Sequence, residues 1–222
     1  MGFGRRPYLS GMKHTLLLLP ILIVLTACQR APRYKTGKQK FTPAELYAQP
    51  AYNDDGTVNM IVEIPAGTNT KIEYQTDTER FAPDTTEGER RIIDFLPYVA
   101  NYGFIPSTLM DPARGGDGDA LDVLVLGETQ ATGTLLRVKP IAVLDLIDRG
   151  EIDTKIIAVP VLDEQRIMRA DSFKDLLIEY DGAKRIIETW FLSYKGLGQV
   201  ELGGWRDGQA ADQEIKKWLV EK

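Results

Sequence analysis

The decapeptide Asp117-Gly118-Asp119-Ala120-Leu121-Asp122-Val123-Leu124-Val125-Leu126 restricts the fold of this chain more than any other segment. Its second half is an apolar run rich in valine and leucine, the pattern of a short buried strand. Its first half sets three carboxylates at the mouth of that strand. Like charges this close cost stability unless water spreads them or cations hold them. Oxygen donors at this spacing suit Mg²⁺, Mn²⁺ or Ca²⁺. An EF-hand does not fit, because the run lacks the D-x-D-x-D-G order and has no Glu at the twelfth position. Taken alone, the hexapeptide reads first as a solvated acidic turn.

Further strand-like segments surround it. Residues 58–64 and 71–75 alternate, while 135–147 and 155–162 are apolar and β-branched, with Gly, Pro, Asn and Asp between them. The period changes in the last third. Apolar residues from Phe173 to Tyr194 recur at three- and four-residue steps after Asp171-Ser172, predicting one long helix with a plausible cap, and a second helix is expected around 210–220. No internal repeat is present. Many short strands followed by helices predict a mainly β (α+β) domain, a small barrel with helices packed on it. The aromatic stripe of the long helix is most simply core.

Composition narrows the chemistry. The 222 residues include one histidine and one cysteine, His14 and Cys28. Both lie in an N-terminal segment where Arg5, Arg6 and Lys13 precede an apolar run over 16–25 that stops at Thr26-Ala27-Cys28. A positive start, a short apolar run and small residues before a break describe a secretory signal. The run is too short for a comfortable membrane-spanning helix, which needs about 20 residues. Leu25-Thr26-Ala27-Cys28 resembles a bacterial lipobox, so residues 1–28 are expected to be a lipoprotein signal with Cys28 as the lipidation site. A buried free cysteine is the plainer alternative. Translation from Met12 would make a compact signal, and Arg5-Arg6 resembles a twin-arginine signal, although the very apolar run favours ordinary secretion. Residues 29–50, polar, basic and proline-containing, read as a tether, leaving 51–222 as the working domain.

Such a domain has no histidine and no thiol beyond Cys28, which excludes Cys-rich zinc sites, Ser-His-Asp triads, Cys-His pairs and disulfides. Beyond residue 27 the chain carries 24 basic against 32 acidic side chains, and an acidic chain is a poor candidate for nucleic-acid binding. A second acidic cluster, Asp148, Glu151 and Asp153, precedes Lys155. It reads alone as a charged hairpin, but two carboxylate clusters at strand ends could share a multi-metal site. Lys71, Arg90, Arg91, Tyr98, Tyr102, Tyr194 and Lys195 are each unremarkable singly. Together they would supply a phosphate clamp.

The order of these motifs resembles the family I soluble inorganic pyrophosphatases over roughly residues 58–206. The strings that carry the resemblance are Val62-Glu63-Ile64-Pro65, Lys71-Ile72-Glu73-Tyr74, Tyr98 through Pro106, Asp117 through Val125, Asp148 through Pro160, Tyr194-Lys195 and Gly204-Trp205. The resemblance implies a five-stranded OB-like closed barrel with flanking C-terminal helices. It also implies hydrolysis of pyrophosphate with several Mg²⁺ ions (Mn²⁺ as the alternative), and a homo-oligomer. Carried over, Asp117, Asp122, Asp148 and Asp153 match metal carboxylates, with Asp122 and Asp153 bridging ions and Glu73 grouped with them. Asp119 matches the general base, with Tyr98 and Lys155 beside it as catalytic residues and Glu63 in support. Lys71, Arg90, Tyr102, Tyr194 and Lys195 match the phosphate-binding set. Counting back from Asn101-Tyr102-Gly103 selects Arg90, although a one-residue gap would select Arg91.

Two departures stand out. Arg149 occupies a position that is acidic in many bacterial members, which bears on the most loosely held metals. The 110–116 loop is longer than in compact bacterial members and resembles the eukaryotic linker, which bears on oligomeric state. Competing readings are an envelope phosphatase acting on other diphosphates or polyphosphate, a lipid-anchored binding protein without chemistry, and an oligonucleotide-binding barrel. The acidic charge and the lack of a basic aromatic face disfavour the last. The signal places the chain at the cell envelope, lipid-anchored on the periplasmic side, with the outer membrane as one destination.

Overall fold

The computed structural model describes residues 1–2 and 41–220. The chain divides into two units, Met1–Thr36 and Gly37–Lys222. The expected signal, Cys28 and the first part of the tether lie outside the described residues, apart from Met1 and Gly2.

In chain order the second unit contains α1 (Pro43–Tyr47), β1 (Val58–Ile64), β2 (Ile72–Gln75), β3 (Arg80–Pro83), β4 (Thr85–Thr86), β5 (Glu89–Arg90), β6 (Asn101–Phe104) and β7 (Asp122–Val125). It continues with β8 (Leu135–Asp148), β9 (Glu151–Pro160), α2 (Phe173–Ile178), α3 (Asp181–Ser193), β10 (Val200–Asp207) and α4 (Gly208–Lys217). Strands pair in the order β1-β6-β7-β9-β8-β10, and β1 also pairs with β8. That extra pairing joins the two ends of β1-β6-β7-β9-β8 into a five-stranded ring, which leaves no open edge among those five. All these pairings are antiparallel except β7 with β9.

Successive residues of a strand face opposite sides, and here both sides are covered. Val123, Val125, Ile156 and Ala158 join Met60, Val62, Leu136 and Val138 in one apolar cluster that Ile215 of α4 and Trp218 just after it complete. Leu124, Ile157 and Val159 point the other way, against Ile187, Trp190 and Phe191 of α3. Double coverage is why these strands read as continuous apolar runs. Gly103 of β6 is required by closure: a Cβ there would lie 1.9 Å from the Ile61 carbonyl oxygen of β1.

Three expectations are corrected. The tether does not extend to residue 50. Thr42 caps α1 in a reciprocal box with Glu45, and Leu46 is buried against Ile61 and Phe104. The long helix is two helices, because the chain breaks at Glu179 and Tyr180. There the Tyr180 hydroxyl accepts a hydrogen bond from the Arg169 amide at 3.0 Å, which ties the break to the preceding loop. The second helix begins at Gly208, earlier than expected, because Asp207 accepts from the Ala210 amide and caps it. Strands β6 and β10 were not foreseen. Asn101-Tyr102-Gly103 and Gly203-Gly204 carry no strand signal, and the long second half of β8 recruits β10 by pairing.

The 110–116 loop is ordered. Asp111 caps a single tight turn over Pro112–Arg114, and the Arg114 guanidinium lies 4.7 Å from the ring centre of Trp218. Among the described residues no helix is long and apolar enough to cross a membrane.

Candidate active site

The acidic strand mouth opens into a cleft of about 350 Å³. Asp117, Asp119 and Asp122 line it from the β7 side, Asp148, Glu151 and Asp153 from the β8–β9 hairpin, and Lys71 and Glu73 from the start of β2. Tyr98, Tyr102, Tyr194 and Lys195 complete the wall. The two carboxylate clusters that the sequence separates by more than twenty residues therefore share one site.

Local geometry explains how each is presented. The Asp119 amide donates to Asp117 at 3.0 Å, and Gly118 between them has φ +91°, a conformation that favours glycine. This turn spreads the first two carboxylates before β7 begins. In the β8–β9 hairpin, Arg149 and Gly150 both have positive φ, 53° and 91°, the turn that matches strand twist. It sets Asp148 opposite Glu151. Asp153 and Lys155, two apart on β9, share a face.

Charge compensation is the site's main electrostatic feature. Lys155, only 4% exposed, forms ion pairs with both Asp122 and Asp153, and its ammonium lies 5.6 Å from the Tyr102 ring centre. Burial disfavours its charge, but the two aspartates outweigh that and raise its pKa. Lys195 pairs with Asp148. Burial disfavours its charge most, but Asp148 and Tyr194 together outweigh burial and raise its pKa. Lys71 pairs with Glu73 and stands 3.7 Å from Asp84, which also accepts from Arg91 at 3.1 Å.

Among the described residues no cation pairs with Asp119 in this way. Burial, then Asp117, Asp122 and Glu73, raise its pKa. Glu63 is buried behind the cleft, accepts from the Tyr74 amide at 2.7 Å, and is pushed up to about 8, chiefly by burial. Tyr98 and Tyr102 are held neutral by burial first and by neighbouring charges second. Tyr194 stacks on Trp190 with centroids 4.6 Å apart.

One predicted phosphate ligand is misplaced. Arg90 ends the exposed β4–β5 hairpin and does not line the cleft, whereas Arg91 does. Neighbouring residues of an extended chain point to opposite sides, so a shift of one position exchanges solvent for cleft. Arg149 does not line the cleft either, but Glu151 does, so the hairpin still offers a second acid. Tyr47 and Tyr74 are lining residues that sequence reading did not select.

The donor set suits divalent metal ions. It consists of carboxylate oxygens alone, and Asp148 Oδ1 is buried with no hydrogen-bond partner. Among the described residues, no group of three His, Cys, Asp or Glu side chains is gathered to hold an ion. Lysines instead sit between the acids.

A closed five-stranded ring bearing a polar cleft of acids, lysines and phenols belongs to the class of β-barrel proteins suited to small, highly charged, metal-associated anions. The protein-family model described as inorganic pyrophosphatase matches residues 60–221. An inorganic pyrophosphatase of Synechocystis is 36% identical over 171 residues, covering 75% of this chain and 92% of that protein. The chloroplastic soluble inorganic pyrophosphatase 6 of Arabidopsis thaliana is 39% identical over 155 residues, 64% of this chain, which spans half of that relative's length. The crystal structure of the Thermus thermophilus inorganic pyrophosphatase superposes with a TM-score of 0.66 at 31% identity, covering 77% of this chain and 94% of the other. The chain belongs to the inorganic pyrophosphatase family.

Proposed function

We propose that this chain hydrolyses inorganic pyrophosphate to two phosphates in a Mg²⁺-dependent reaction. The observation that carries the reading is the convergence of Asp117, Asp119, Asp122, Asp148 and Asp153 with Lys71, Arg91, Tyr194 and Lys195 on one open cleft. A pyrophosphate ion is small, rigid and multiply negative, and it needs cations on both phosphoryl groups. Asp117, Asp122, Asp148 and Asp153 would hold the metal ions, with Glu73 at the edge. When bound, such ions lower the pKa of a coordinated water and neutralise phosphoryl charge.

The protein's own groups have separable tasks. Asp119 accepts the proton of the attacking water, a role helped by its raised pKa and its lack of a pairing cation among the described residues. As the water oxygen bonds to one phosphorus, the bridging P–O bond breaks and its electrons leave with the other phosphate. Lys71, Arg91, Tyr194 and Lys195 stabilise charge on the two phosphoryl groups, and Tyr102 donates as a neutral phenol. Positioning and electrostatics of this kind carry most of the catalysis in phosphoryl transfer. Lys155 holds Asp122 and Asp153 by ion pairs, and Tyr98 packs against the Tyr102 ring.

Export and lipid attachment at Cys28 are supported by the basic, apolar and small-residue order of positions 5–28, and would place the reaction on the periplasmic face of a membrane. Self-association is supported by family resemblance and by exposed Ile178 and Ile186.

The test is phosphate release from pyrophosphate, tripolyphosphate and nucleotides with Mg²⁺ and with EDTA, for the wild type and Asp119→Asn. Pyrophosphate should be turned over with Mg²⁺ alone, and the variant should lose two or more orders of magnitude in turnover while keeping its fold. Turnover in EDTA, or wild-type rates in the variant, would refute the reading.

A further inference from the structure

The cleft contains one aromatic residue from outside the region that the family model matches. Tyr47 belongs to α1, thirteen positions before residue 60, and lines the cleft beside Asp117, Gly118 and Asp119. Its helix is firmly seated. Leu46 is buried against Ile61 and Phe104, the Gln49 carbonyl accepts from the Ser107 hydroxyl at 2.8 Å, and the Pro50 carbonyl accepts from the Asn59 side chain at 2.9 Å. The Tyr47 ring is held on two sides. It stacks on Tyr74 of β2 with centroids 4.7 Å apart and planes 16° apart, and it meets Phe104 of β6 at 5.6 Å. Both neighbours belong to strands that carry cleft residues, so the ring is positioned by the same framework as Lys71 and Tyr102.

Its hydroxyl makes no hydrogen bond with the described residues. A donor with no acceptor among the described residues, on a ring locked on two sides at the wall of a polyanion site, has a ligand oxygen as its natural acceptor. Burial first, then Asp119 and Glu63, raise its pKa, which favours the neutral, hydrogen-donating phenol.

Resting on the function proposed above, we propose that Tyr47 is an additional substrate-binding residue, donating its phenolic hydrogen to a terminal phosphoryl oxygen of the bound diphosphate from the acidic side of the cleft. Tyr47 thus adds a neutral donor on the side of the cleft that Asp117 and Asp119 line. The segment preceding the barrel thereby contributes to the site directly.

The experiment uses the full chain with Mg²⁺. Tyr47→Phe keeps the stacked ring and removes only the hydroxyl. Losing a hydrogen bond to a charged oxygen should raise KM for pyrophosphate about tenfold with kcat within about twofold, and the thermal midpoint should stay unchanged. Calorimetric binding of imidodiphosphate, whose P–N–P bridge resists hydrolysis, should weaken about tenfold in the same variant. Unchanged KM and unchanged imidodiphosphate affinity would overturn the assignment. So would a change in thermal midpoint without a change in KM, which would mark a purely structural ring. If the wild type binds imidodiphosphate but does not turn over pyrophosphate, the hydrolytic reading fails while the binding comparison still decides Tyr47. If the wild type does neither, both fall.

Discussion

Lys155→Met is the sharpest test of how the cleft is held together. The substitution keeps an unbranched apolar stem and removes the ammonium that joins Asp122 and Asp153. Those carboxylates are 24% and 18% exposed on their side chains, so water compensates only in part. Removing one partner from a buried ion pair costs about 3–5 kcal/mol, because a charge is left without compensation. Here two like charges are left facing each other, but their partial exposure argues for the lower end, about 3 kcal/mol. In a domain of this size each kcal/mol moves the thermal midpoint by about 2–4 °C, so Lys155→Met should melt about 6–12 °C below wild type in EDTA. Divalent cations bind the folded acids and stabilise them by mass action, so millimolar Mg²⁺ should close at least half of that gap. Differential scanning fluorimetry of both proteins in EDTA and in MgCl₂ measures all four midpoints. A gap under about 1 kcal/mol in EDTA, or an equal gap in both buffers, would refute the idea that lysine and metal ions compensate the same carboxylates.

The arginine correction has a direct comparison. Arg91→Ala should raise KM for pyrophosphate or lower turnover by about tenfold or more, whereas Arg90→Ala should stay within about twofold, and steady-state kinetics of the two variants would expose the reverse order. Away from the cleft, Glu214 accepts from Arg206 at 3.2 Å, Lys217 at 3.0 Å and the Trp218 indole at 2.8 Å. Burial opposes its charge, but these partners outweigh burial and lower its pKa from 4.5. A depressed folded pKa contributes stability above the unfolded value that is lost as pH falls toward the folded one. Glu214→Gln should therefore cost about 1–3 kcal/mol at pH 7 and progressively less below pH 4.5, as read by urea melts across pH; a constant difference would contradict the linkage.

Much of the site was legible because its chemistry is written locally. Asp117, Asp119 and Asp122 sit within six residues at a strand mouth, and Asp148, Glu151 and Asp153 flank a tight hairpin, so short-range spacing already brings each trio together. The Val-Leu-Val-Leu run announced a strand because β-branched and leucine side chains fill both faces of the ring. Misses fell where partners are distant in sequence. Strand β10 forms because β8 runs past the ring and offers hydrogen-bonding groups, and Tyr102 and Gly103 are in a strand because β1 and β7 lie on either side. The helix break at Tyr180 is tied to the preceding loop by a hydroxyl that accepts from the Arg169 amide, a contact that apolar periodicity cannot register.

Taken alone, the sequence determined which reactive groups exist. A domain with no histidine or thiol works through carboxylates, lysines, arginines, phenols and hydroxyls, and the order of its motifs resembles that of proteins that handle pyrophosphate. The tertiary structure decided which copies of those groups are used. Arg91 faces the cleft and Arg90 faces water because one step along an extended chain reverses the side. Tyr47 reaches the site only because Leu46 docks its helix against Ile61 and Phe104. Lys155 becomes the counter-ion of two aspartates only when β7 lies parallel beside β9. Residue types are properties of single positions, whereas burial, facing and charge compensation arise from segments that meet only when the ring closes.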